Sequence, residues 1–159
     1  MQAAKLKSMY LSLFVAFICY LLPWSGVGLL IRPDFVLLVL LYWLLRSPRL
    51  CNIGTAWFAG LLIDLASGGL FGQCGLAYAV TAFFAVTYQR RLTLFNIWQQ
   101  SGYIFILLIL NQLTLWMLKL FAGGESPGWS YLLPCVSGIL LWQFIMFSRI
   151  GIETHADKN

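Results

Sequence analysis

The chain is poor in charge, and poorer still in acid. Of its 159 residues ten are lysine or arginine and five aspartate or glutamate, 9% together, where an ordinary soluble domain carries about 25%. The five carboxylates are Asp34, Asp64, Glu125, Glu153 and Asp157, the last two in the C-terminal tail, so paired acid/base chemistry has little to draw on. One histidine, His155, sits in that tail beside Asp157, too isolated for a zinc or haem site or for a Ser-His-Asp arrangement. Cys19, Cys51, Cys74 and Cys135 are scattered in or beside apolar segments without a C-x-x-C pair, and read as inert buried thiols. No G-x-x-x-x-G-K-[ST] loop occurs, and Gly26-Val27-Gly28 is too fragmentary for a dinucleotide site. These absences lead to the expectation of no enzyme, no metal and no cofactor.

What fills the chain instead is apolar: 61% hydrophobic residues and a mean hydropathy of +0.85. Uncharged stretches run over residues 8–31, 65–89, 92–118 and 126–148. At about 1.5 Å per helical residue each crosses, or nearly crosses, a hydrocarbon core of about 30 Å. An integral membrane protein is expected. The net charge of +5 is split among separate basic clusters rather than gathered on one stripe, which argues against nucleic acid as partner.

The fold class expected is an all-α, single polytopic domain over residues 1–159, with six spans at about 9–22, 33–45, 51–66, 75–88, 97–121 and 131–147. The first span ends at Pro23-Trp24-Ser25-Gly26, where proline and glycine disfavour continuation. The second, a short one, is expected to begin at Arg32-Pro33-Asp34, with proline in the first helical position and a carboxylate near the positive dipole end. The third stops at Ser67-Gly68-Gly69, and a turn over residues 123–128 separates the last two. With six spans, Lys5, Lys7, Arg46, Arg49, Arg90, Arg91, Arg149 and Lys158 share one side against Arg32 and Lys119 on the other, a split of 8 to 2. Because basic residues are retained inside, both termini are expected in the cytoplasm. A secretory signal over residues 1–28 is the competing reading, and would leave five spans.

Asp64 is the most informative single residue, since a carboxylate within a spanning helix costs up to about 2.5–3.5 kcal/mol at the bilayer centre. Two structural roles are open to it: capping the Ser67-Gly68-Gly69 turn or reaching water there, and pairing with Arg32 across the second and third helices. Ala56 and Gly60, then Gly68 and Gly72, lie four apart with Gly75 close behind, a spacing that suits close helix approach or a tight re-entry. Asn111 and Gln112 are expected to hydrogen-bond between helices, and secondarily to line a polar cavity. The seven tryptophans fall mostly near predicted helix ends and read as interfacial anchors.

Several segments together carry a family likeness. They are Arg32-Pro33-Asp34 followed by Leu37 to Trp43, then Asn52-Ile53-Gly54, Gly60-Leu61-Leu62-Ile63-Asp64-Leu65-Ala66-Ser67-Gly68, and Gly72. In these the chain resembles the rod shape-determining protein MreD family in its proteobacterial form, best over residues 30–100. The resemblance implies a non-enzymatic component of the cell-wall elongation machinery in the bacterial inner membrane. It further implies work with the bitopic protein MreC, and with MreB, RodA and its class B penicillin-binding transpeptidase. More remotely, six spans with a short second one are similar to the S components of energy-coupling factor transporters. The resemblance to those proteins leaves small-molecule binding through Arg32, Asp64, Asn111 and Gln112 as the alternative function. Their A-x-x-x-A docking pattern is missing, for Ala16 stands alone in the apolar part of the first helix.

Overall fold

A computed structural model describes residues 2–156 except 24, 27, 29–30, 48, 69–70, 93–95 and 124–127, and without the side chains of 2–5, 90–92, 97, 129–130 and 148–156. Trp24, Gly69, Glu125, Asp157 and Lys158 therefore lie outside the described residues, as do the side chains of Lys5, Arg90, Arg91, Trp129, Arg149, Glu153 and His155. The described chain is all-helical: α1 (Gln2–Leu21), α2 (Phe35–Arg46), α3 (Ile53–Ser67), α4 (Gln73–Leu92), α5 (Ile97–Phe121) and α6 (Leu133–Ala156), the last preceded by a 3-10 turn over Trp129–Leu132. One helix, over Trp98–Phe121, is long and apolar enough by itself to cross a membrane. Leu6–Leu21, Phe35–Arg46, Ile53–Ser67 and Leu133–Phe147 are shorter apolar stretches.

Side-chain bonds between helices fix the direction of each. Trp43 Nε1 donates to Ser12 Oγ at 2.9 Å, and the Arg32 guanidinium donates to the Tyr20 carbonyl, so α1 and α2 run antiparallel. Tyr78 pairs with Asp34 and Gln89 with the Leu45 carbonyl, each 44 residues apart, so α2 and α4 run parallel in constant register. Gln73 reaches the Leu115 carbonyl and Tyr103 the Phe84 carbonyl, which makes α4 and α5 antiparallel. Gln112 donating to the Tyr131 carbonyl turns α6 back beside α5. One end of the bundle thus gathers Tyr20, Arg32, Asp34, Asp64, Lys119 and Tyr131, and the other Lys7, Arg46 and Arg49.

The short α2 is the centre. Its sequence FVLLVLLYWLLR has no polar face, and Val36, Leu37, Leu38, Leu40, Leu41, Trp43, Leu44 and Leu45 are all buried, against α1, α4 and α6. The perimeter is apolar as well. Phe14, Ile18, Phe58, Leu65, Phe83, Ile106, Leu140 and Phe144 are all exposed, an arrangement opposite to that of a water-soluble surface.

Three expectations need correction here. Pro33 is not the first helical residue: Asp34 is the N-cap of α2, its carboxylate accepting from the Leu37 amide at 3.3 Å, and the proline precedes it. An aspartate outcompetes proline for control of a helix start because it satisfies an orphan amide, whereas proline only omits one. Trp43 and Trp142 are buried rather than anchored at an interface, 9% and 1% exposed. Apolar residues on every helix face hide which side turns inward, so nearness to a helix end does not settle a tryptophan's place. Asn111 is buried, yet its side-chain oxygen has no hydrogen-bond partner.

Candidate functional site

The sequence-predicted residues converge on the bundle end that holds Asp34 and Asp64, and they do so through helix termini. α3 ends on Gly68, which takes the left-handed conformation (φ 65°) and donates its amide to the Asp64 carbonyl, as does the Ser67 hydroxyl. The chain turns through Gly72 (φ 95°), a conformation that favours glycine, and α4 starts at Gln73.

Gly72 stands where a helix wants a Ser, Thr, Asp or Asn to accept from the second and third amides. It has no side chain to do so. Asp64 supplies the missing carboxylate from the preceding helix: Oδ2 accepts from the amides of Gly72 (3.0 Å), Cys74 (3.0 Å) and Gly75 (3.2 Å), and Oδ1 from Cys74 (2.9 Å). The group is 3% exposed. Charge-assisted bonds to three amides, at the positive end of the α4 dipole, offset the desolvation of the carboxylate.

Close approach makes this cap possible. A Cβ added to Gly60 would sit 2.6 Å from the Cys74 carbonyl oxygen and 2.6 Å from the Gly75 Cα, so the backbones of α3 and α4 touch there. A Cβ on Gly75 would in turn meet the Leu61 side chain at 3.2 Å. Gly60, Asp64, Ser67, Gly68 and Gly72 are therefore parts of one α3–α4 corner.

Asp34 makes the second carboxylate site. Besides capping α2 it accepts a short hydrogen bond from the hydroxyl of Tyr78, itself buried on α4, so the starts of the two parallel helices are tied. Arg32 serves α1 instead. Its guanidinium lies 3.8 Å from the centre of the Tyr20 ring and donates to the Tyr20 carbonyl, holding the end of α1. The expected Arg32–Asp64 pairing is not made, and the Asp64 side chain serves α4 rather than the turn directly after α3. Gln112 makes its bond within the α5–α6 connection (2.8 Å to the Tyr131 carbonyl), while Asn111 lies one residue away on the inner face. Sequence reasoning missed Tyr78; its spacing of 44 from Asp34 gives no local signal.

Chemically, both carboxylates are occupied by amide and hydroxyl donors. Among the described residues no three of His, Cys, Asp or Glu are placed to hold a metal. The cavities include two apolar grooves flanking α1: one toward α3, of about 410 Å³, and one toward α2 and α6, of about 400 Å³. Neither is lined by Arg32, Asp64, Asn111 or Gln112.

Such a site defines a class: an all-helical bundle with apolar outer faces, whose few polar side chains fasten helix ends to one another. The chain belongs to the MreD family, rod shape-determining protein MreD, which matches residues 4–149. It is similar to the rod shape-determining protein MreD of Haemophilus influenzae, 27% identical over 136 residues that cover 85% of this chain and 84% of that protein. No solved structure matches the chain. Its role is in the determination of rod shape.

Proposed function

We propose that the chain is a non-enzymatic, multi-pass scaffold of the bacterial cell-wall elongation complex, embedded in the inner membrane with both termini cytoplasmic. The observation that carries this reading is the use made of its polar residues. Asp34 and Asp64, the carboxylates most able to serve chemistry, instead hold helix starts in place. The exposed apolar perimeter supports membrane embedding, and the gathering of Lys7, Arg46 and Arg49 at one end supports a cytoplasmic face there. With short connections between helices, recognition falls to lipid-facing surfaces. The single transmembrane helix of MreC is the natural partner, with MreB, RodA and its class B penicillin-binding transpeptidase joined through the complex.

Depletion is expected to round rod-shaped cells, and the protein to co-purify with MreC from detergent; failure of both sinks the proposal. Reporter fusions after Ser47 and Arg91 should read cytoplasmic, and those after Gly69 and Glu125 outside. A second reading, binding of a small molecule, draws on the buried Asn111 oxygen that lacks a partner. It requires a stoichiometric ligand that is lost in Asn111→Leu while the bundle stays folded.

A further inference from the structure

The groove between α1 and α3 has a chemistry of its own. Tyr10, Phe14 and Phe17 of α1 form one wall, Phe58 and Leu62 of α3 the other, and Val36 of α2 lies at its base. From Tyr10 to Phe17 it runs about 10 Å along the helix. We propose that this groove holds one acyl chain of an anionic phospholipid, with the lipid phosphate against Lys7 and Arg49. The proposal rests on the membrane embedding inferred above.

The lining selects hydrocarbon, since every side chain on it but that of Thr55 is apolar or aromatic and an acyl chain asks for no polar partner. Charge selects the headgroup. Positions 7, 10, 14 and 17 are spaced three, four and three apart and share one face of α1, so Lys7 stands one turn beyond Tyr10 in line with the groove. The Ser12–Trp43 bond sets the register of α1 on α2 and brings Lys7 level with the α2–α3 connection that contains Arg49. Lys7 and Arg49 are both exposed. Among the described residues the carboxylates, Asp34 and Asp64, belong to the opposite end of the bundle.

The test uses the full chain purified in detergent and titrated with phosphatidylglycerol or phosphatidylcholine under native mass spectrometry. At roughly fivefold per basic residue, the wild type should prefer phosphatidylglycerol by about twenty-five-fold, and Lys7→Gln with Arg49→Gln should abolish the preference while still binding both lipids. Gly54 lines the groove, and a Cβ there meets nothing within 4 Å, so Gly54→Leu should keep the unfolding temperature and lose both lipids. Equal binding of the two lipids by the wild type overturns the site, as does unchanged binding in a folded Gly54→Leu. Should Gly54→Leu not fold, the lysine and arginine variant decides alone. A photo-crosslinker in place of Phe58 that labels a protein instead of lipid in membranes also overturns it. Alkaline extraction separates this failure from the broader one: a chain retained in membranes without lipid preference refutes the groove alone, and a chain released to the soluble fraction refutes membrane embedding too.

Discussion

The α3–α4 corner and α1 are fastened by opposite means. At the corner, backbone lies on backbone: Gly60 leaves no room for a methyl group against Cys74 and Gly75, and Asp64 satisfies three amides of the next helix. α1 packs chiefly on α2, leaves Tyr10, Leu11, Phe14 and Val15 exposed, and has grooves on both flanks. Its polar ties include two single bonds, Trp43 to Ser12 and Arg32 to Tyr20. In a bundle surrounded by hydrocarbon, apolar contact between helices is not preferred over contact with lipid. Rigidity then follows the close approach and the polar bonds, and the α3–α4 corner combines the two.

The sharpest way to break this contrast is at Gly60. Gly60→Val should cost about 3 kcal/mol or more, because the obstructing atoms are backbone and cannot rotate aside. Folded protein recovered from membranes, read by size-exclusion in detergent, should fall close to nothing; normal recovery would refute the tight corner.

Asp64 comes next. Asp64→Ala strips the buried amides of Gly72, Cys74 and Gly75 of their acceptor, an expected loss of about 3 kcal/mol, with Asp64→Asn losing less because one oxygen remains to accept. Thermal unfolding in detergent should rank wild type above Asn above Ala. If Asn and Ala fall equally, the negative charge rather than the acceptor geometry holds α4. Tyr78→Phe should cost about 2 kcal/mol, since it removes one bond to Asp34 and leaves the α2 cap itself in place. Its effect should disappear in an Asp34→Ala background, a coupling that a double-mutant cycle measures directly.

Much of this was legible in the sequence. Six helices follow from the uncharged runs and their punctuation by proline, glycine and arginine, and α5 was expected over 97–121, the bounds observed. Gly60, Asp64, Gly68 and Gly72 stand out in the sequence, because small residues and a lone carboxylate are costly in an apolar helix unless used. Their partners were hidden. Asp64 bonds to amides 8–11 residues ahead, across a turn, and a backbone amide carries no residue signature. Arg32 was expected beside an acid, yet an aromatic face and a carbonyl satisfy a guanidinium equally well. Trp43 and Trp142 were misplaced because helices apolar on all sides offer no periodicity to mark an inner face.

The smallest effect should come from α1. Ser12→Ala removes the acceptor of Trp43 Nε1 and costs about 1 kcal/mol. That is too little to unfold the bundle, but it removes one of the polar ties of α1. Arg32→Gln removes another, toward the end of the helix at Tyr20. Eight residues, about 12 Å of helix, separate Ser12 from Tyr20, so the two losses should add within about 0.5 kcal/mol. Thermal unfolding of the two single variants and the double variant checks the sum. A double variant much less stable than the sum would mean that α1 and α2 separate cooperatively, and that α1 belongs to the same rigid unit as the corner. Additivity would place α1 outside it, with its flanks open.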